Sequence, residues 1–225
     1  MLPCYLCYSE KRAFPFLDMM RGEQPVREAI GSMTVATDRR MTLQEFLTYD
    51  DGTDRRYELE DGVLVEMGTE ATINTEIVMF LIETFLKVLS RKRIGIKQHM
   101  EVRSRYATAR DPDLMIHSKD SAAAIEGLPQ ACLKYADPNP LIAIEIVSTG
   151  AEASKNFKRD YELKPREYAD RGISEMWQID PKREWVKVGT LTDGEYQFTT
   201  FRDDEAIVSV TFPELALTAA QILGA

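Results

Sequence analysis

Residues Leu141–Val147 read LIAIEIV, a near-continuous apolar run of seven residues. Such a run, too short for a helix of its own, marks a strand buried on both faces at the centre of a sheet. One residue in it is charged, Glu145. A carboxylate withdrawn from water is costly unless it is paired or hydrogen-bonded. Glu145 is therefore either a neutral or salt-bridged structural group, or a residue with a chemical task.

The flanking segments bear on that choice. Upstream, Asp113–His117 (DLMIH) reads as a short strand following Arg110-Asp111-Pro112. Two carboxylates at adjacent strand ends, Asp113 and Glu145, can hold one Mg²⁺, with Mn²⁺ as its alternative. Mg²⁺ takes hard oxygen ligands and keeps several waters. An ion so held polarises a phosphoryl oxygen and lowers the pKa of a bound water. A lysine near the reacting phosphate would stabilise the charge that develops there.

Downstream, a helical region runs from Ser154 to Asp170 and ends at Gly172. Phe157, Tyr161, Lys164 and Tyr168 are spaced i, i+4, i+7, i+11 and so share one helical face. A lysine on an aromatic stripe either snorkels its stem with a solvated head or reaches toward Glu145 and Asp113. Pro165 follows it directly, and proline kinks a helix or begins one. Either would re-aim Lys164, leaving Lys158 as the alternative lysine.

Elsewhere the patterns are local. Thr42–Thr48 (TLQEFLT) predicts a short helix capped by Thr42. Tyr57–Met67 (YELEDGVLVEM) predicts a hairpin turning at Asp61-Gly62. A long amphipathic helix is expected from Thr72 to Lys92, with Ile73, Ile77, Phe80, Leu81 and Val88 inward and Gly95 as its stop. Ile96 to Arg103 alternates as a half-buried strand. Residues 118–139 read as a loop with one helical turn. Glu175–Asp180, Trp185–Val188, Tyr196–Phe201 and Ala206–Val210 read as strands, the last three antiparallel, and Pro213–Leu223 as a closing helix. This order predicts one α/β domain with a mixed sheet.

The chain has 225 residues, 44% apolar and 29% charged, a globular composition. Its three cysteines are too few for a disulfide scaffold and fit a reducing cytoplasm. Cys4 and Cys7 form a lone C-x-x-C without a second pair to complete a zinc site, and read as incidental thiols. No uncharged apolar run is long enough to span a membrane, so no membrane partner is expected. Residues 1–32 lack periodicity and read as a poorly ordered extension ahead of a domain at 33–225, with Met33 as an alternative start. The net charge is −9, which disfavours nonspecific attachment to nucleic acid. A local exception runs from Lys87 to Arg110, where eight basic residues face one acid, Glu101. It reads as a phosphate-facing surface or as solvated faces.

The sequence blocks TLQEFL, YELEDGVLVEM, DPDLMI (111–116), IAIEIVS (142–148) and DYELKPREYADRGISEMWQIDP (160–181) occur in order. Together they resemble the PD-(D/E)XK nuclease superfamily and, within it, the Uma2 family. The resemblance implies a restriction-endonuclease-like core, a mixed β-sheet flanked by helices with additional antiparallel strands. It implies a Mg²⁺-dependent endonuclease hydrolysing DNA phosphodiester bonds, acting as a homodimer. Asp113 and Glu145 match its metal-binding acids, and Glu58 matches a further acid that completes the metal shell, the alternative being a surface glutamate beside a turn. The superfamily lysine two residues after the second acid is absent, since that position is Val147. Instead Asp160, Lys164 and Tyr168 match a D-x-x-x-K-x-x-x-Y pattern on the next helix. Where the family carries a histidine at the start of the long helix, this chain has Asn74, which cannot transfer protons near neutral pH. Glu76 reads as solvated, Trp177 as core, and His99 and His117 as structural. The rival expectations are a catalytically decayed nuclease fold that binds nucleic acid or protein, and a hydrolase of small phosphoesters.

Overall fold

The computed structural model describes residues 39–69, 71–147 and 155–225. The expectations for residues 1–32, Met33 and the Cys4-x-x-Cys7 pair lie outside them. Helix α1 (Leu43–Leu47) starts as the sequence predicts. The Thr42 hydroxyl accepts from the Glu45 amide, and the Glu45 carboxylate accepts from the Thr42 amide, a reciprocal capping box. Strands β1 (Tyr57–Glu60) and β2 (Val63–Glu66) form the expected hairpin. Asp61 and Gly62 both have positive φ, 47° and 82°, the geometry of a two-residue turn that matches strand twist.

Helix α2 spans Thr72–Leu86, six residues less than expected. The chain leaves the helix at Lys87, so Val88 is exposed rather than inward. The turn brings β3 (Ile94–Gly95) against the edge of a sheet, so Gly95 is a strand residue and not a helix stop. The strand expected from Ile96 is also shorter. Lys97 has φ 53°, which interrupts an extended chain, and pairing begins at β4 (His99–Val102). Met100 and Val102 are buried while Ile96 is exposed.

Strands β5 (Thr108–Arg110) and β6 (Leu114–Ile116) follow. Residues 118–139 hold more than one turn: helix α3 (Lys119–Ile125), capped by Ser118, and strand β7 (Cys132–Leu133). Strand β8 (Ile142–Ile146) is buried at every residue. The next helical region has three parts: α4 (Lys155–Lys158), a π-helical segment at Arg159–Leu163, and α5 (Lys164–Arg171). Gly172, at φ 85°, closes it in the left-handed conformation. Strands β9 (Glu175–Asp180), β10 (Trp185–Thr192) and β11 (Glu195–Phe201) then run antiparallel. The strand expected at Ala206–Val210 is only a bridge from Ala206 to Thr218, with Val208 and Val210 facing solvent. The closing helix α6 is confined to Ala219–Leu223.

Two sheets result, ordered β2-β1-β5-β4-β7 and β11-β10-β9-β8-β6-β3. In the second sheet β8 is central, parallel to β9 and antiparallel to β6. Its alternation sorts its side chains between two cores. Ile142, Ile144 and Ile146 pack with Ile77, Leu81 and Phe85 of α2. Ala143 packs on the opposite face with Met176 and Tyr168, the latter from α5. Glu145 points to that second face, toward the helix that connects β8 to β9. Among the described residues no helix is long and apolar enough to cross a membrane.

Candidate active site

The segment Asp111-Pro112-Asp113 carries the chain from β5 of the first sheet to β6 of the second. Proline cannot donate to a ladder, so pairing stops at Arg110 and resumes at Leu114. In the β6–β8 ladder Leu114 faces Ile144. One step further Asp113 comes beside Glu145, and directly opposed residues of an antiparallel pair project to the same face. The Asp113 Oδ2 accepts from the Ile146 amide at 2.6 Å, which fixes the carboxylate at the strand end.

Glu145 is 3% exposed and engaged at both oxygens. Lys164 donates to Oε2 at 2.6 Å, and the Tyr168 hydroxyl donates to Oε1. Burial pushes the Glu145 carboxyl up to about 7, against the pull of the Lys164 ammonium. Burial opposes the charge of Lys164, but Glu145, Glu58 and Asp160 outweigh it and hold the ammonium above its ordinary pKa. Its Nζ lies 3.4 Å from Glu58 and 3.7 Å from Asp160.

The π-helical segment reconciles Pro165 with this geometry. Pro165 has no N–H, and its ring would crowd the carbonyl four residues back in a regular helix. In the π segment the Lys164 amide bonds instead to the Arg159 carbonyl, five residues back, and a regular helix restarts with proline in its first turn, where the missing donor costs nothing. The expected single face is thereby divided. Phe157 and Tyr161 stack on each other at 4.3 Å and Tyr161 donates to Asp180, whereas Lys164 and Tyr168 converge on Glu145. Lys158 is exposed.

Glu58 is completely buried in β1. It accepts from Arg110 Nη1 and from the Asp111 amide, each at 3.2 Å. Burial raises its pKa, but the Lys164 and Arg110 cations prevail and hold it down to about 2. Arg110 is itself fully buried and forks onto Glu167 with two bonds of 2.7 Å, reaching Glu60 at 3.0 Å as well. Within the basic run from Lys87 to Arg110, four of the eight residues are engaged by carboxylates or a carbonyl of the protein. Arg110 is an internal tie, Lys92 pairs with Glu126, Arg103 with Asp170, and Arg93 donates to the His117 carbonyl.

A cavity of about 160 Å³ opens over these groups, lined by Asp111, Asp113, Glu145, Asp160, Arg159 and Lys164 among others. Asn74 also lines it, from the start of α2, whereas the neighbouring Glu76 is exposed and Glu58 stands behind Lys164 rather than on the wall. With Glu66 at the rim the lining holds five carboxylates against two cations, a surplus of hard oxygen donors. Among the described residues no group of three or more His, Cys, Asp or Glu side chains encloses a metal position. The donor set fits an ion held by two carboxylates and otherwise hydrated, which is the habit of Mg²⁺. Among the described residues its lining holds no imidazole and no thiolate for zinc.

The remaining candidates are structural in their contacts. Trp177 is buried against Phe85 and donates to Glu175 at 2.6 Å. His117 is held between Ser121 and Gln98. Four participants escaped the sequence reading: Asp111, Arg159, Arg110 as an organiser, and Gln178. Gln178 lies beside Glu145 in the parallel ladder and donates to the Asp160 carbonyl at 2.7 Å. The signal for it was the β9 pattern EMWQID, in which a polar residue interrupts a buried strand.

Comparison with known proteins agrees with this architecture. No curated protein matches the chain. Four chains among the solved structures do. One is the crystal structure described as "a putative nuclease belonging to DUF820" from Anabaena variabilis, with a TM-score of 0.59 and 17% identity, covering 82% of this chain and 98% of that one. At that identity the likeness speaks for the fold. The model of the Uma2 family, described as "Putative restriction endonuclease", matches residues 43–220, a span that takes in both sheets and every residue of the acidic cavity. The chain belongs to the Uma2 family.

Proposed function

We propose that the protein is a Mg²⁺-dependent endonuclease that hydrolyses DNA phosphodiester bonds. The observation that carries this reading is the meeting of Asp113 and Glu145 in one acidic cavity with Lys164 at 2.6 Å from Glu145, although the lysine comes from a different element than in the usual E-x-K arrangement. Asp113 and Glu145 would hold the ion, whose chemistry is Lewis acidity toward the scissile phosphate and its attacking water. Lys164 supplies a buried, permanently charged ammonium that offsets charge developing on the phosphoryl oxygens. Tyr168 orients Glu145 through its hydroxyl, and Glu58 keeps Lys164 in place and charged, so both are positioning residues. A homodimer, with one strand cut by each subunit, follows by analogy with nucleases of this fold.

The rival reading is a nuclease fold that binds nucleic acid or protein without cutting. What favours it is that both Glu145 oxygens are already engaged, by Lys164 and Tyr168. Plasmid nicking with and without Mg²⁺, alongside calorimetric Mg²⁺ binding, separates the two. The endonuclease gives metal-dependent nicking that disappears in Asp113→Ala together with Mg²⁺ binding. DNA retention without metal, unchanged in Asp113→Ala and without nicking, would establish the binding module instead.

A further inference from the structure

Lys164 is spent within the protein: its Nζ lies 2.6 Å from Glu145, 3.4 Å from Glu58 and 3.7 Å from Asp160. The other cation lining the acidic cavity is Arg159, whose side chain is 12% exposed. Its Nε donates to Asp160 Oδ1 at 3.1 Å. The same oxygen faces Lys164, so one buried carboxylate braces both cations. The two terminal nitrogens of Arg159 donate to no group of the described residues, yet they are not sealed from solvent. Burial opposes the guanidinium charge, but Asp160, Glu58 and Glu145 outweigh it, which sets the head group among the acids of the cavity.

The backbone explains why two cations share the cavity. Residues five apart in a regular helix project to different sides. Here the Lys164 amide bonds to the Arg159 carbonyl across the wider π turn, which brings the two side chains toward one side. The turn is also anchored, because Gln178 donates to the Asp160 carbonyl from the strand position beside Glu145. A guanidinium is planar and permanently charged, and its N–H groups form a fork that fits phosphate oxygens. An anion entering a cavity lined by five carboxylates and two cations needs donors that are not already taken. Arg159 has them and Lys164 does not.

We propose that Arg159 is the phosphate-binding residue of this cavity, its terminal nitrogens holding a non-bridging oxygen of the phosphodiester that enters it. The inference rests on the endonuclease reading for the strand that enters, but not for the charge and open donors of Arg159. Such a contact is made with the bound strand before any bond breaks, so it acts on DNA affinity more than on the chemical step. Lys164, enclosed by acids, acts through its charge on the chemical step.

The test compares the full chain as wild type, Arg159→Gln and Arg159→Lys. The salt dependence of duplex DNA binding is read in EDTA by fluorescence anisotropy, and in Mg²⁺ through the KM of plasmid nicking. Removing one phosphate contact lowers the slope of log affinity against log salt by about one. Arg159→Gln should show that lower slope, bind DNA about tenfold more weakly and raise KM more than it lowers kcat. Arg159→Lys should keep the slope and recover only part of the affinity, since an ammonium lacks the fork. Calorimetric Mg²⁺ binding without DNA should not weaken in either variant. A wild-type slope in Arg159→Gln would overturn the proposal, as would wild type that binds no DNA in either condition. Loss of Mg²⁺ binding with the slope unchanged would also overturn it, by making Arg159 a brace for Asp160 alone. A lowered slope in Arg159→Gln without nicking by wild type would remove the endonuclease reading and leave Arg159 as a phosphate ligand. Nicking by all three proteins with one common slope would do the reverse.

Discussion

The Nζ of Lys164 and the Oε2 of Glu145 lie 2.6 Å apart with both side chains buried, across nineteen residues of chain. The strand carrying Glu145 offers Val147 where a lysine would sit two residues on. The ammonium arrives from the crossover helix instead, its direction set by the π-helical segment ahead of Pro165. A cation at this point thus does not depend on the element that supplies it.

Replacing that ammonium tests its role. Lys164→Met should lower Mg²⁺-dependent nicking by about 10²–10³-fold, the usual worth of one preorganised charge or donor. The stability loss should be smaller than the roughly 3–5 kcal/mol of breaking a buried pair, because Glu145 is poised to take up a proton. Lys164→Arg should not restore activity, since a planar guanidinium does not occupy the place of an ammonium. Nicking rates and urea unfolding of the three proteins provide the check. Full activity in Lys164→Met would remove the lysine from the mechanism.

Arg110→Met should be the more damaging change to the fold. It leaves Glu58, fully buried and held down to about 2, without one of its two main counter-charges, and frees Glu167 as well. Loss of one partner from a buried ion pair costs about 3–5 kcal/mol. Denaturant midpoints measure it, and a loss below about 1 kcal/mol would contradict the internal role assigned to Arg110.

His117 makes stability depend on pH. Burial, with Arg93 adding to it, pushes the imidazole down to about 4. The unfolded chain, with histidine near 6.5, therefore binds more protons than the folded one between pH 6.5 and 4. The stabilisation is complete above 6.5 and is lost as the pH falls, by on the order of 3 kcal/mol from this group. His117→Gln should flatten this part of the profile. Urea unfolding at pH 7 and at pH 4.5 gives the comparison, and parallel losses in wild type and variant would refute it.

Mg²⁺ should raise the melting temperature. At an ion concentration tenfold above its Kd, the folded state gains about 1.4 kcal/mol. For a domain of this size that corresponds to roughly 3 to 6 °C. Asp113→Asn should abolish the shift, and scanning calorimetry with Mg²⁺ or EDTA reads it. A shift that persists in Asp113→Asn would place the ion elsewhere.

Local chemistry by itself determined a good part of this protein. The run LIAIEIV could only be a buried strand, Asp61-Gly62 only a tight turn, and Thr42 with Glu45 a helix start, because each depends on residues within a few positions of one another. The acids Asp113 and Glu145 were legible for the same reason: a proline before one and an apolar strand around the other leave few places for them. Tertiary structure decided the rest. It ended α2 at Leu86 and paired Ile94–Gly95 with a distant strand. It buried Arg110 among carboxylates from β1 and α5, set Glu58 behind Lys164, and joined Asp111 and His99 in one cavity. These arrangements weigh packing and charge against desolvation between residues from 12 to 106 positions apart, and no local pattern encodes that balance.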